Sequence, residues 1–272
     1  MAALEQYMEA RLAQGRAYFL RDDVLAALGS SPEALNMALL RQARKDRLAS
    51  PRQGFYLILR PEDRAAGAPD PARWIDPLMK YLQADYRIAL LRAAAFHGAS
   101  HQAAMVFQLI VPKQMRGVEI GRHRLEFIYQ NPTAFAQVNQ PEALASLKSD
   151  AGFAKVAGIE LTLLDSARYF HKVGGINALA QIVKDLGGRA RSAKLARLAT
   201  HYENSAVRRL GYLLEHTHHT PQADALLPFV KKTKTAALLN PAVKPLIEGL
   251  PGLHEPEPRW RLILNEPMEI DF

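Results

Sequence analysis

Apolar positions recur at helical spacing early in the chain. Leu4, Tyr7, Met8 and Leu12 predict a helix over residues 3–14, stopped by Gly15. Tyr18-Phe19-Leu20 is a short run of strand formers. Asp22 and Asp23 suit the start of a second helix with Val24, Leu25 and Leu28 inward, and Gly29 stands where a left-handed cap belongs. A third helix begins at Ser31-Pro32-Glu33. The serine hydroxyl can accept from an orphan backbone N–H, and a proline in first position has no N–H to leave unpaired. Ser30 with Glu33 fits a capping box one residue earlier. Leu35, Ala38, Leu39 and Gln42 face inward, whereas Glu33, Asn36, Met37, Leu40, Arg41 and Arg44 fall on or near the opposite side. Pro51-Arg52-Gln53-Gly54 reads as a tight turn before the apolar residues 55–59. Helix, strand, helix, helix, hairpin is the order of a winged helix-turn-helix, expected over residues 1–63.

Residues 64–72, with Gly67, Pro69 and Pro71 among small side chains, read as a linker. Residues 73–272 read as a larger, mixed α/β and mostly helical domain, which makes the whole chain α+β. Helices are expected at 75–82 and 87–96, strands at 106–111 and 125–129, and short extended pieces at 153–156 and 158–161. Thr162 is expected to cap a helix running to Phe170, and helices follow over 176–186, 192–202 and 205–215. The proline-rich segment after residue 228 is expected to be mostly loop, with a strand at 260–264.

Charge sharpens this picture. The chain has 272 residues and a formal net charge of +8, a balance that favours a polyanionic partner. Arg41, Arg44, Lys45, Arg47, Arg52 and Arg60 face a single acid, Asp46, within residues 41–60. In a winged helix this is where DNA lies: cations hold phosphates, and a helix in the major groove reads base edges. Ser31, Asn36, Met37 and Arg41 are therefore expected to enter the groove, and Arg44, Lys45, Arg52 and Gln53 to contact the backbone. Winged helices also serve as protein-binding modules, with the basic helix merely solvated. A second basic zone contains Arg189, Arg191, Lys194, Arg197, Arg208 and Arg209. It is either a solvated helical face or an extension of the footprint, toward DNA or an acidic protein.

Catalytic chemistry finds little support. Cysteine is absent, which removes disulfides, thiolate metal sites and cysteine nucleophiles. No P-loop and no zinc-protease helix motif occurs. His216, His218 and His219 crowd a helix end, where imidazoles can meet the helix dipole without a metal. Glu160 and Asp165 read as acids near a helix start rather than as a catalytic pair. No catalytic residue, metal or cofactor is expected. The first ten residues lack a basic start and an apolar core, so a cytoplasmic location away from membranes is expected.

Several ordered segments resemble the AbiEi antitoxins of type IV toxin–antitoxin (abortive infection) systems over nearly the whole chain. They are Arg52-Gln53-Gly54-Phe55-Tyr56, the run from Tyr86 to Gly98, Val111-Pro112-Lys113, Glu160-Leu161-Thr162-Leu163-Leu164-Asp165, and Arg208-Arg209-Leu210-Gly211-Tyr212-Leu213-Leu214-Glu215. The resemblance implies a non-enzymatic antitoxin whose winged helix represses its own operon by binding double-stranded promoter DNA. It also implies a functional partner, an AbiEii-like nucleotidyltransferase toxin, countered without a stable complex. A regulator with a ligand-sensing second domain and no toxin is the alternative reading.

Overall fold

The computed structural model describes residues 3–99, 106–149, 152–231, 233–243 and 255–268. The fold is mixed α and β, and the chain divides into two compact units. Met1–Ile88, Met105–Pro132 and Ser146–Val156 form the first, and Ala89–Ala104, Thr133–Ala145 and Ala157–Phe272 the second.

The first unit opens with α1 (Ala3–Ala13), β1 (Tyr18–Leu20), α2 (Arg21–Leu28), α3 (Pro32–Arg44), β2 (Leu48–Arg52) and β3 (Phe55–Ile58). The strands form an antiparallel sheet in the order β1-β3-β2. Each helix gives it one apolar side: Leu4, Met8, Phe19, Val24, Leu35, Leu39, Leu48 and Ile58 make one buried cluster. Gly29 takes the left-handed cap with φ +57°, and Gly54 turns the hairpin with φ +82°. Ser31 rather than Ser30 caps α3, its Oγ accepting from the Ala34 N–H at 3.2 Å.

The same unit continues through α4 (Ile75–Tyr81), β4 (Arg87–Ile88), β5 (Val106–Val111), β6 (Val118–Ile120), β7 (His123–Tyr129), β8 (Leu144–Ser149) and β9 (Gly152–Ala157). Strands β4 to β9 build a six-stranded sheet in the order β6-β7-β5-β4-β9-β8. Strand β5 runs parallel to β7, from Val106 opposite Arg124 to Val111 opposite Tyr129. A strand covered on both faces reads as a continuous apolar run, and residues 107–111 are all buried. The exception in type, Gln108, donates to Glu126.

The stretch expected as a linker is packed instead. Pro61–Ala66 and Pro71–Arg73 are short 3-10 turns, and Ala68 and Pro71 are buried. The Arg122 N–H donates to the Ala66 carbonyl at 2.8 Å, and a Cβ on Gly67 would sit 2.7 Å from the Gly121 Cα. Small residues here permit two backbones to touch, so the composition that resembles a tether marks a close approach. The compact units accordingly do not follow a division at 64–72.

The second unit contains α5 (Leu90–Phe96), α6 (Pro132–Val138), α7 (Ile159–Arg168), α8 (Ile176–Leu186), α9 (Ser192–Ala199), α10 (Asn204–His216), α11 (Thr220–Asp224) and α12 (Leu227–Lys231). The strands β10 (Ala237–Leu238), β11 (Glu255–Glu257) and β12 (Leu262–Leu264) form a small sheet in the order β10-β12-β11. Helices α7 and α10 are buried on nearly every side. Gly211 lets Trp260 lie against α10: a Cβ there would sit 2.1 Å from the indole ring.

Two expected helices begin elsewhere. Residues 87–88 are a strand, and α5 starts only at Leu90, whose φ of +53° bends the chain. Helix α7 starts after Gly158, which leaves Thr162 inside it, donating its hydroxyl to the Ala157 carbonyl.

Candidate nucleic-acid interface

Helix α3 buries Leu35, Leu39 and Gln42 and turns its other side to solvent. Asn36, Met37, Leu40, Arg41 and Arg44 are exposed, and Lys45 follows at the C-terminal cap. Among the described residues, Arg41 and Arg44 make neither an ion pair nor a side-chain hydrogen bond. Lys45 Nζ lies 3.7 Å from Glu5 Oε1 with its side chain 62% exposed, a pairing that holds it weakly. The structure therefore brings Asn36, Met37, Arg41, Arg44 and Lys45 together on one helix.

The other candidates stand differently. Ser31 is exposed but spends its hydroxyl on the cap. Asn36 Oδ1 accepts from Arg21 Nη2 at 3.1 Å, a neighbouring cation that the sequence pattern did not single out. Arg52, expected to contact the DNA backbone, donates to the Arg116 carbonyl and lies 6.0 Å from the Phe127 ring centre. Its charge is thus partly engaged on the larger sheet of its own unit. The Gln53 side chain is exposed, while its carbonyl accepts from the Tyr81 hydroxyl at 2.9 Å.

A groove of about 270 Å³ runs beside α3, lined by Leu40, Ala43, Ala49 and Tyr56 among others. Asn36 and Ser50 add polar atoms to it, and two exposed apolar side chains stand on the same helix, Met37 at 59% and Leu40 at 44% exposure. The sequence pattern places Leu40 outward but gives it no role.

The second basic zone is not one surface. Arg208 and Arg209 are buried in α10. Arg208 donates to the carbonyls of Thr235 and Arg261, and Arg209 to those of Leu239 and Ala167 at 2.7 and 3.0 Å. Arg209 also stacks over Phe170, 4.5 Å from the ring centre. Burial, together with the neighbouring Arg208 charge, pushes the Arg209 guanidinium down to about 10. Both cations are structural because they satisfy carbonyls inside the unit.

The remaining four cations differ from one another. Lys194 Nζ sits 2.8 Å from the buried Glu160 carboxylate with its side chain only 14% exposed. Arg191 gives its backbone N–H to the same carboxylate while its side chain reaches solvent. Burial raises the Glu160 carboxyl, but the hydrogen bonds from Lys194 and Arg191 outweigh it and leave its pKa below the ordinary value. Arg189 donates to the His97 carbonyl, and Arg197 pairs loosely with Glu142 at 3.9 Å.

The His97 ring meets the Ala157 carbonyl at 2.7 Å through Nε2, which must donate; burial and then the Arg189 charge lower its pKa despite that bond. Asp165 accepts from the Tyr202 hydroxyl at 2.7 Å, so it and Glu160 have separate partners. His219 meets the Lys184 carbonyl, and His216 stacks on Tyr212. Among the described residues, no helix is long and apolar enough to cross a membrane. Lys232 lies outside the described residues, as does much of the proline-rich segment after residue 228.

Comparison with known proteins adds a family likeness and a likeness of fold. A family model described as the AbiEi antitoxin C-terminal domain matches residues 87–216. Among solved structures, the crystal structure of the RV2827C protein from Mycobacterium tuberculosis is similar, with a TM-score of 0.68 at 19% identity. The match covers 95% of this chain and 90% of that one, a likeness of fold. A search of curated proteins finds no match.

Proposed function

We propose that this chain is an antitoxin of the AbiEi family, a reading supported by the match over residues 87–216, and that it counters a nucleotidyltransferase-like toxin and represses its own operon. In this reading α1 to β3 form a winged helix-turn-helix that binds double-stranded promoter DNA through α3. The observation that carries the DNA half is the exposure of Arg41 and Arg44 on one helix face, free of ion pairs among the described residues. Cations of this kind release condensed counterions from a duplex, so binding weakens as salt rises.

Asn36 and Arg41 read bases, Arg44 and Lys45 hold phosphates, and Arg52 and Gln53 lie on the hairpin that would follow the backbone. The antitoxin half belongs to the family domain in residues 87–216. Toxin and antitoxin need no lasting complex in this scheme.

The test uses a duplex taken from immediately upstream of the chain's own gene. Fluorescence anisotropy titrations at several salt concentrations should give a steep slope for the wild type. The double variant Arg41→Ala, Arg44→Ala should lower that slope by about one, for the phosphate contact of Arg44, and weaken binding further through the lost base contact of Arg41. An unchanged affinity and slope would overturn the assignment of α3. Co-expression of the full chain with the product of the neighbouring gene tests the other half: restored growth supports it, and unrelieved toxicity refutes it.

A further inference from the structure

The exposed side of α3 is not uniformly basic. Residues 33, 37, 40 and 44 follow one another at helical spacing and form a stripe along its middle. The centre of that stripe is apolar. Met37 is 59% and Leu40 44% exposed, and Leu40 also lines a groove with Ala43, Ala49 and Tyr56, whose polar members are Asn36 and Ser50. Single exposed apolar side chains are ordinary on a protein surface. Here two stand together on one helix face, Leu40 also lines the groove, and the same helix carries the exposed cations Arg41, Arg44 and Lys45, a combination that suits a ligand with matching chemistry. That ligand is anionic at its rim and apolar within.

A DNA duplex offers this arrangement when its sequence is right. Phosphates border the major groove, and the only apolar group on its floor is the thymine methyl. Guanine and cytosine would leave Met37 and Leu40 against polar edges, desolvating those edges without a hydrogen bond. We infer that Met37 and Leu40 are specificity residues that read thymine methyl groups, so that the DNA under α3 is rich in A·T pairs. This inference rests on the DNA-binding reading proposed above and adds the base class that α3 selects.

The test separates the two. The duplex from upstream of the gene is prepared twice, once with thymine and once with uracil, which lacks the methyl and keeps the pairing edge. The wild-type chain should bind the thymine duplex about fourfold more tightly for each methyl contacted, and about tenfold or more in all. The double variant Met37→Ala, Leu40→Ala should bind the two duplexes alike. Both side chains are exposed and alanine favours helix, so the variant keeps its fold, checked by circular dichroism.

Equal wild-type binding to both duplexes, with its salt dependence intact, would overturn the thymine inference and leave DNA binding standing. A preference for thymine that survives in the double variant would overturn it as well, because duplex stiffness would then be the cause. No salt-dependent binding to either duplex would remove the DNA reading itself and this inference with it.

Discussion

Helices α3 and α10 carry the same kind of side chain to opposite ends. Both hold arginines in a short span, Arg41 and Arg44 in one, Arg208 and Arg209 in the other. In α3 the apolar residues keep to one side, so the cations emerge into water. In α10 the neighbours Ala206, Val207, Leu210, Gly211, Leu213 and Leu214 are buried, and Arg208 and Arg209 are buried with them rather than joining the partly exposed Ser205, Tyr212 and Glu215. Arg208 and Arg209 must then find acceptors inside, and backbone carbonyls supply them. A basic pair in sequence is therefore a surface feature only where the surrounding pattern leaves a face open. Under the proposed function the contrast gives recognition to one helix and cohesion to the other, and each proposal has a measurable consequence.

The greatest loss should come from α10. Arg209→Ala removes the donors for the Leu239 and Ala167 carbonyls and the plate that covers Phe170. Buried acceptors left unpaired and a cavity left open should together cost about 3–5 kcal/mol. Urea unfolding of the full chain measures it. A cost comparable to that of a surface substitution, within about 0.5 kcal/mol, would mean that Arg209 is not the internal tie described.

Lys194 shows an intermediate fate, a cation held by a buried acid, and pH reports on it. The Glu160 carboxyl titrates below its ordinary value in the folded chain. Its contribution to stability is therefore complete above the ordinary carboxylate range and is lost as pH falls through the folded value. His97 adds a loss at higher pH with the same sign: its folded pKa lies below the ordinary 6.5, so stability declines as acid begins to charge the unfolded ring below about that pH. Glu160→Gln leaves Lys194 without its charge partner and should cost about 3 kcal/mol at pH 7. Unfolding midpoints of the two proteins should draw together once the pH is low enough to protonate Glu160 in the wild type. A difference that persists unchanged in acid would show that packing, rather than charge, sets the cost.

The sequence disclosed much of this and hid the rest for physical reasons. The start of α3 is readable because capping is local: Ser31, Pro32 and the preceding Gly29 each act within a few residues. Strand β4 is not, because Arg87 and Ile88 pair with Ile110 and Leu109, and Arg87 donates to Gln130, all distant in the chain. Residues 64–72 look like a tether because their close approach, at Gly121, cannot be inferred from their own composition. Arg52 is legible as a hairpin residue, yet its engagement with the Arg116 carbonyl depends on a long-range neighbour. The burial of Arg208 and Arg209 is written locally: uninterrupted apolar flanks carry that signal, and weighing charge ahead of pattern overlooks it.

The smallest effect is the other half of the comparison. Arg41 and Arg44 touch no partner among the described residues, so removing both should change the unfolding free energy by no more than about 0.5 kcal/mol per substitution. Alanine favours the helix, which leaves the backbone of α3 undisturbed. The measurement is the same urea titration used for Arg209→Ala, run beside the anisotropy titration of the same protein. Near-wild-type stability with weakened, less salt-sensitive DNA binding keeps the two helices in separate roles. A stability loss approaching that of Arg209→Ala would instead place the α3 cations in the fold, and the weakened binding would then report unfolding rather than the absence of the two side chains that meet the duplex.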